Sequence, residues 1–229
     1  MDVERPEPMT GAYRAVVALC APVMQRWSRL EVRGLPHLPV SGATLVVANH
    51  DSYWDPIAIA VAARRRRQIR ALAKSTIWKL RPIGWLMDGM GHIPVDRSKR
   101  NDEAIGTAVR ELRAGACIGV FPEATRSLGS TIRAHSGAGR LALAVPEAVI
   151  VCVRVTGTTD VVRLPKRPSV TVEFLEPAGG PVRPGETAAD LMVRLLAELR
   201  DGAPPTVPGR ARTAAKHRRA LAAQHPAKA

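Results

Sequence analysis

Residues 44–56 read Thr44-Leu45-Val46-Val47-Ala48-Asn49-His50-Asp51-Ser52-Tyr53-Trp54-Asp55-Pro56. The first five are β-branched or apolar and suit a short buried strand, while Asp55-Pro56 suits a helix start, with Asp55 as the cap and proline in the first turn. A strand that feeds a helix through a polar bend is the joint from which α/β domains are built. The bend also decides what the polar residues can do. On a regular helix five residues turn about 500°, which leaves the side chains of His50 and Asp55 roughly 140° apart. Across a bend, the Asp55 carboxylate can reach one imidazole nitrogen, hold the tautomer, and leave the other nitrogen to take a proton from a hydroxyl. The same residues admit a plainer reading, in which Asp55 only caps its helix and His50 is structural or exposed.

The alternation continues outward from this stretch. Residues 69–73, 116–121, 148–156 and 170–174 have the apolar character of short strands, and the segment from Gly91 to Arg97 is a further short extended piece ending in charge. Between them, helical patterns cover 9–30, 55–63 and 76–88, the last interrupted at Arg81-Pro82. Ala104, Ile105, Ala108, Val109 and Leu112 recur at helical spacing, with Ser98 or Asn101 as cap and Gly115 as stop. Residues 137–145 suit a small-residue helix, and Thr187 opens a capping box before Leu191, Leu195, Leu196 and Leu199. The alternation implies an α/β domain, in which polar residues at strand ends gather along one crevice. Three such ends occur, at 49–55, 91–97 and 121–127. The apolar part of 76–88 fits either the wall of an acyl-chain groove or ordinary core packing.

With 229 residues and 46% hydrophobic content the chain can bury a substantial core. The formal net charge of +14 calls for an anionic partner or surface. Eight aromatic residues are too few for the stacked-base recognition of single-stranded nucleic acid, which argues against a nucleic-acid partner and makes phosphate or anionic lipid the expected counterpart. Residues 202–229 hold six Lys or Arg and no acid, which leaves a net +8 on the rest. The run Arg64-Arg65-Arg66-Arg67 reads as a cationic surface ridge at a helix C-terminus. Cys20, Cys117 and Cys152 lack metal-ligand spacing and read as small core residues in a reducing compartment. No metal site is indicated, because His50, His92 and His135 are not joined by further ligands at metal spacing.

Asp2, Glu4 and Glu7 make the N-terminus a poor secretory signal, so the expectation is a protein on the cytoplasmic side. The apolar stretch 15–24 is ten residues, short of the roughly 20 needed to span a bilayer, and fits either an interfacial contact or a packed surface helix. Three divisions are expected: an N-terminal helical segment over 1–30, a main domain over 31–201, and a Pro-rich linker with a basic tail over 202–229.

In order, Asn49-His50 through Asp55, Gly91 through Arg97, and Phe121-Pro122-Glu123-Ala124-Thr125-Arg126-Ser127 resemble the blocks of the glycerolipid acyltransferases of the 1-acylglycerol-3-phosphate acyltransferase type. That family carries NHxxxxD, a glycine-to-arginine block, FPEGTRS and an apolar strand with proline, and the resemblance extends over about residues 31–175. Ala124 stands where the family has glycine, which puts a left-handed backbone there in question. Cys152 stands where proline is common in the last block.

The resemblance implies a single acyltransferase domain with a mixed, mainly parallel sheet flanked by helices. It also implies transfer of a fatty acyl group from acyl-CoA or acyl carrier protein to a lysophospholipid hydroxyl, without a further cofactor, at the cytoplasmic face of a membrane. The acceptor implied is 1-acylglycerol-3-phosphate, with other lysolipids as alternatives. His50 is then the general base and Asp55 its orienting partner. Arg97 and Arg126 bind the acceptor phosphate, and Glu123 and Thr125 order those arginines or contact the glycerol. Oxyanion donors are expected among backbone N–H groups near the helix start. Apart from the resemblance, Arg97 suits an ion pair with Asp96 or Asp102, Glu123 suits a cap or salt bridge, and the basic runs suit a protein that binds nucleic acid or an anionic membrane.

Overall fold

The computed structural model describes residues 8–96, 102–163, 165, 167–207 and 219. Seven strands form one sheet in the order β1-β7-β6-β2-β5-β3-β4. They are β1 Glu31–Arg33, β2 Thr44–Ala48, β3 Arg70–Lys74, β4 Ile93–Val95, β5 Cys117–Val120, β6 Val149–Thr156 and β7 Thr171–Leu175. All neighbours pair parallel except β6 and β7. The helices among the described residues are α1 Gly11–Pro22, α2 Asp55–Ala63, α3 Arg81–Gly89, α4 Asp102–Arg113, α5 Gly137–Ala144 and α6 Ala188–Gly202. This is the α/β domain that the alternation of strand and helix signals predicts, with the mixed, mainly parallel sheet that the resemblance implies.

All five residues of β2 are buried, as a strand covered on both faces requires. Their alternation splits the core in two. Val46 and Ala48 pack with Tyr13, Val17 and Met24 on the side of α1 and α2. Leu45 and Val47 pack with Leu112, Leu141, Leu191 and Leu195 on the side of α4, α5 and α6. On this second side α5 and α6 approach closely, since a Cβ on Gly139 would lie 2.1 Å from the Ala188 carbonyl oxygen. At the start of α6, the Thr187 hydroxyl accepts the Asp190 N–H, and the two side chains are also hydrogen-bonded, as the capping pattern predicts.

The arginine run differs from its reading as a solvated ridge. Arg67 is fully buried and donates to the Gly42 and Gly115 carbonyls at 3.0 and 2.8 Å and to the Thr44 hydroxyl at 3.1 Å. Arg66 donates to the Leu38 carbonyl at 2.6 Å. Arg67 therefore holds the entry to β2, because a guanidinium supplies several donors in one plane to carbonyls that a turn leaves unpaired. Cys117 and Cys152 are buried core residues, and burial pushes the Cys152 thiol up to about 12. Among the described residues no helix is long and apolar enough to cross a membrane. In the described part of the stretch expected as a linker, Ala203 is buried and the Thr206 N–H faces Asp51 at 3.5 Å, while Pro204 and Thr206 are exposed.

Candidate active site

β2 lies between β5 and β6 and parallel to both, so the C-terminal ends of three adjacent strands meet at one edge of the sheet. In open parallel sheets this edge is where polar loop residues converge. β2 delivers Asn49 and His50, β5 delivers Phe121 and Glu123, and β6 delivers Gly157 and Thr158. The Asn49 side chain behaves like a piece of strand. Its amide nitrogen donates to the Val155 carbonyl and its oxygen accepts the Val155 N–H, both at 2.8 Å, which pins the end of β2 to the end of β6.

Beyond Asn49 the chain bends, and His50 Nδ1 lies 2.8 Å from Asp55 Oδ2. The bend itself is made by the same carboxylate oxygen, which accepts the Asp51 and Ser52 N–H groups at 2.6 and 2.7 Å. Thr158 donates its hydroxyl to the other oxygen. Asp55 is fully buried, and these donors compensate the loss of water around its charge. It is not the cap of its own helix, as the sequence reading had it. Trp54 occupies the cap position without a side-chain bond, and Asp55 reaches backward along the chain instead. The N–H groups of Asp51, Ser52, Trp54 and Asp55 are all engaged within the bend, so the oxyanion donors expected near the helix start are not these four.

Gly157 makes the Thr158 contact possible. It turns the chain at a φ of 78°, and a Cβ there would lie 1.9 Å from the Ser169 carbonyl oxygen.

With Nδ1 committed to Asp55, the neutral His50 ring presents Nε2 as an acceptor. The ring is stacked on Phe121, with centroids 4.3 Å apart. Its main chain is clamped on both sides: the His50 N–H donates to Glu123 Oε2 at 2.8 Å, and the His50 carbonyl accepts the Ser127 N–H at 2.8 Å. The segment Phe121–Ser127 thus holds the histidine rather than merely lying near it.

Glu123 is buried behind the histidine and paired with Arg200 at 2.6 Å, the salt-bridge alternative for this residue. Arg200 also donates to both oxygens of Asp51, at 2.9 and 3.1 Å, and Asp51 in turn accepts the Ser127 hydroxyl. Burial pushes the Glu123 carboxyl upward, while the Arg200 guanidinium and the His50 N–H pull it back. Burial acts to lower Arg200, and the Asp51 and Glu123 carboxylates outweigh it.

In front of the histidine a cavity of about 660 Å³ opens between the sheet and α1, α2 and α3. Its wall is apolar, with Val17 and Cys20 from α1, Ile57 and Val61 from α2, and Leu86 and Met87 from α3. The segment 76–88 therefore contributes to a groove wall. His50, Thr125 and Arg126 line the same cavity. Arg126 sits over the Tyr53 ring at 3.8 Å, with no carboxylate partner among the described residues. Thr125 is exposed on the rim. Arg97, the second arginine expected at the phosphate, lies outside the described residues, as do Ser98 and Asn101. Glu123 is separated from the cavity and bound to an arginine that the sequence reading did not single out.

A charged helix-end residue such as Arg200 carries no sequence signal for this role. Phe121, Tyr53 and Asn49 sit inside the recognised blocks but act through stacking and backbone mimicry, which spacing does not reveal. Among the described residues no three His, Cys, Asp or Glu side chains group as metal ligands.

The model of the Acyltransferase family matches residues 29–156. This chain belongs to that family. Among acyltransferase relatives, it is 30% identical over 102 residues to the chloroplastic 1-acyl-sn-glycerol-3-phosphate acyltransferase LPAT1 of Arabidopsis thaliana, covering 43% of this chain and 28% of that protein. It is 26% identical over 98 residues to the 1-acyl-sn-glycerol-3-phosphate acyltransferase of Bacillus subtilis, covering 43% and 49%. The matched stretches span about half or less of these curated relatives. The acyltransferase fold is shared with the crystal structure of the 1-acyl-sn-glycerophosphate acyltransferase PlsC from Thermotoga maritima, at a TM-score of 0.62 and 21% identity, over 83% of this chain and 79% of that one.

Proposed function

We propose that the protein transfers a fatty acyl group from a thioester donor, acyl-CoA or acyl carrier protein, to the hydroxyl of a lysophospholipid, and that the acceptor is 1-acylglycerol-3-phosphate. The observation that carries this reading is the His50–Asp55 pair at 2.8 Å, whose histidine lines a mainly apolar cavity that Arg126 also lines. The apolar wall suits an acyl chain, the guanidinium suits a phosphate, and an imidazole lining the same cavity suits removal of a proton from a hydroxyl.

In the reaction, His50 Nε2 takes the acceptor hydroxyl proton as the oxygen attacks the thioester carbonyl. Asp55 stabilises the imidazolium that forms. When the tetrahedral intermediate collapses, the C–S bond breaks and the imidazolium returns its proton to the departing thiolate. The products are an ester and a free thiol, with the histidine neutral again. No protein nucleophile and no further cofactor take part. Because the acceptor is a lipid, the protein works as a peripheral protein on an anionic membrane face.

The test is a thiol-release assay with both donor types and acceptors that differ in head group. Release that requires His50 and prefers lysophosphatidate is the expected result. Preference for a neutral lysolipid would reassign the acceptor, and wild-type rates in His50→Ala would remove the histidine from the mechanism.

A further inference from the structure

The sequence leaves the apolar stretch 15–24 as either an interfacial contact or a packed surface helix, and α1 turns Tyr13, Val17 and Ala21 into the core and leaves Leu19 as its large exposed apolar side chain. The exposed apolar surface is concentrated elsewhere. The 3-10 turn Ser75–Lys79 and α3 carry Leu80 at 63% exposure, Ile83 at 41% and Trp85 at 79%. This segment also carries exposed Lys79 and Arg81, with exposed Lys74 at the end of β3 just before it, against one acid, Asp88, which already accepts the Trp78 indole N–H at 2.6 Å. Its inner side is the cavity wall, through Ile77, Leu86 and Met87.

We infer that the Ser75–Gly89 segment is a membrane-docking element, which seats Leu80, Ile83 and Trp85 in the interface of an anionic bilayer and presents the cavity mouth to it. An exposed tryptophan flanked by aliphatic side chains and cations has the composition of an interfacial anchor. The charge selects a lipid surface bearing phosphate over a neutral one. Continuity with the cavity supplies the reason for the placement, because an acceptor lipid would pass from the bilayer along Ile77 and Met87 without its chain crossing water. The segment Ser75–Gly89 is shorter than the roughly 20–30 residues a side that a stable protein interface takes, so a lipid surface fits this patch better than a protein.

The inference rests on the acyltransferase reading for its biological sense, but its test uses neither donor nor acceptor. The full chain is sedimented with vesicles of phosphatidylglycerol and phosphatidylcholine, and with phosphatidylcholine alone. The combined variant Leu80→Gln, Ile83→Gln, Trp85→Gln should retain the wild-type unfolding transition, since all three side chains are exposed. It should lose about tenfold or more of its partition onto the anionic vesicles. Leu19→Gln should change partition little. Bromine-labelled lipid should quench the tryptophan fluorescence of the wild type, and Trp85→Phe should lose that quenching while still binding.

Unchanged partition of the triple variant would overturn the assignment, and loss in Leu19→Gln alone would return the contact to α1. A wild-type dimer without vesicles that the triple variant breaks would make the patch a protein interface instead. Failure of the thiol-release assay with vesicle binding intact would count against the enzyme reading and not against this surface.

Discussion

Arg200, in the last turn of α6, forks across Asp51 and Glu123 and so ties the bend that carries His50 to a helix 150 residues further along the chain. All three side chains are less than one tenth exposed, so none can fall back on water. Removing one partner of such a buried set costs about 3–5 kcal/mol, because the remaining charges lose their compensation. Arg200→Gln is expected to lower the unfolding free energy by that order in urea titration. It should also reduce kcat more than it raises KM, since the main chain of His50 moves. Arg200→Lys should recover part of the stability and less of kcat, as an ammonium cannot serve two carboxylates with a planar fork. Equal loss of kcat in a variant destabilised elsewhere would remove any positioning role.

Asp55 has four donors and His50 has one orienting carboxylate, which ranks the substitutions around them. His50→Ala should cost about 10²–10⁴ in kcat. Asp55→Ala should cost a comparable amount, and stability as well, because the N–H groups of Asp51 and Ser52 lose their acceptor in a buried bend. Thr158→Val removes one donor and leaves the imidazole contact, so a loss of less than about tenfold is expected. Thiol release under saturating donor, with thermal unfolding alongside, separates the three. A Thr158→Val effect as large as that of Asp55→Ala would contradict the order.

The His50–Asp55 contact at this edge was more legible than its supports. Thr44–Ala48 and Pro56 announce strand and helix by local preference, and the bend forces His50 and Asp55 together, so neighbours in sequence sufficed. Arg67 misled because a run of four arginines looks solvated until the carbonyls of Gly42 and Gly115, far apart in sequence, close around the last of them. Glu123 misled for a related reason. Its partner sits on α6, outside the span matched by the family model, and a single arginine at a helix end has many equivalent solvated counterparts. Long-range pairing of this kind is fixed by topology, which local periodicity does not encode.

Arg126 rests over the Tyr53 ring, an exposed cation–π contact worth about 0.5–1 kcal/mol. Its main effect is to hold the guanidinium at the cavity mouth. Arg126→Ala should lower kcat/KM for a phosphate-bearing acceptor by about 10- to 100-fold and change that for a neutral lysolipid little. Tyr53→Leu should reproduce the same selectivity at smaller size. A uniform loss across acceptors in Arg126→Ala would assign the arginine to the fold or the donor instead.

Ala124 keeps the left-handed backbone that its alanine had put in question, at a φ of 55°. The conformation costs an L-residue roughly 1–2 kcal/mol, and glycine escapes the cost at about 0.5–1 kcal/mol of extra chain entropy. Ala124→Gly should therefore stabilise the protein by up to about 1 kcal/mol in thermal or urea unfolding. Destabilisation would mean that the Ala124 methyl packs against the rim of the cavity it lines by more than the strain it causes.

His92 makes the fold sensitive to acid. Its Nδ1 accepts the Ala71 N–H of β3 at 2.9 Å, a bond only the neutral ring can make at that nitrogen. Burial lowers its pKa from 6.5 to about 4. Between those values the unfolded chain holds a proton that the folded chain does not, so stability rises with pH in this window. The contribution of the neutral ring is complete above about 6.5 and is lost as pH falls through about 4, amounting to about 3 kcal/mol at full extent. Urea unfolding of the wild type and of His92→Asn, compared across that window, isolates the effect. Asparagine can accept the Ala71 N–H and does not titrate. The wild type should lose stability faster than the variant as pH is lowered from about 6.5, and parallel curves would show that another group carries the acid sensitivity.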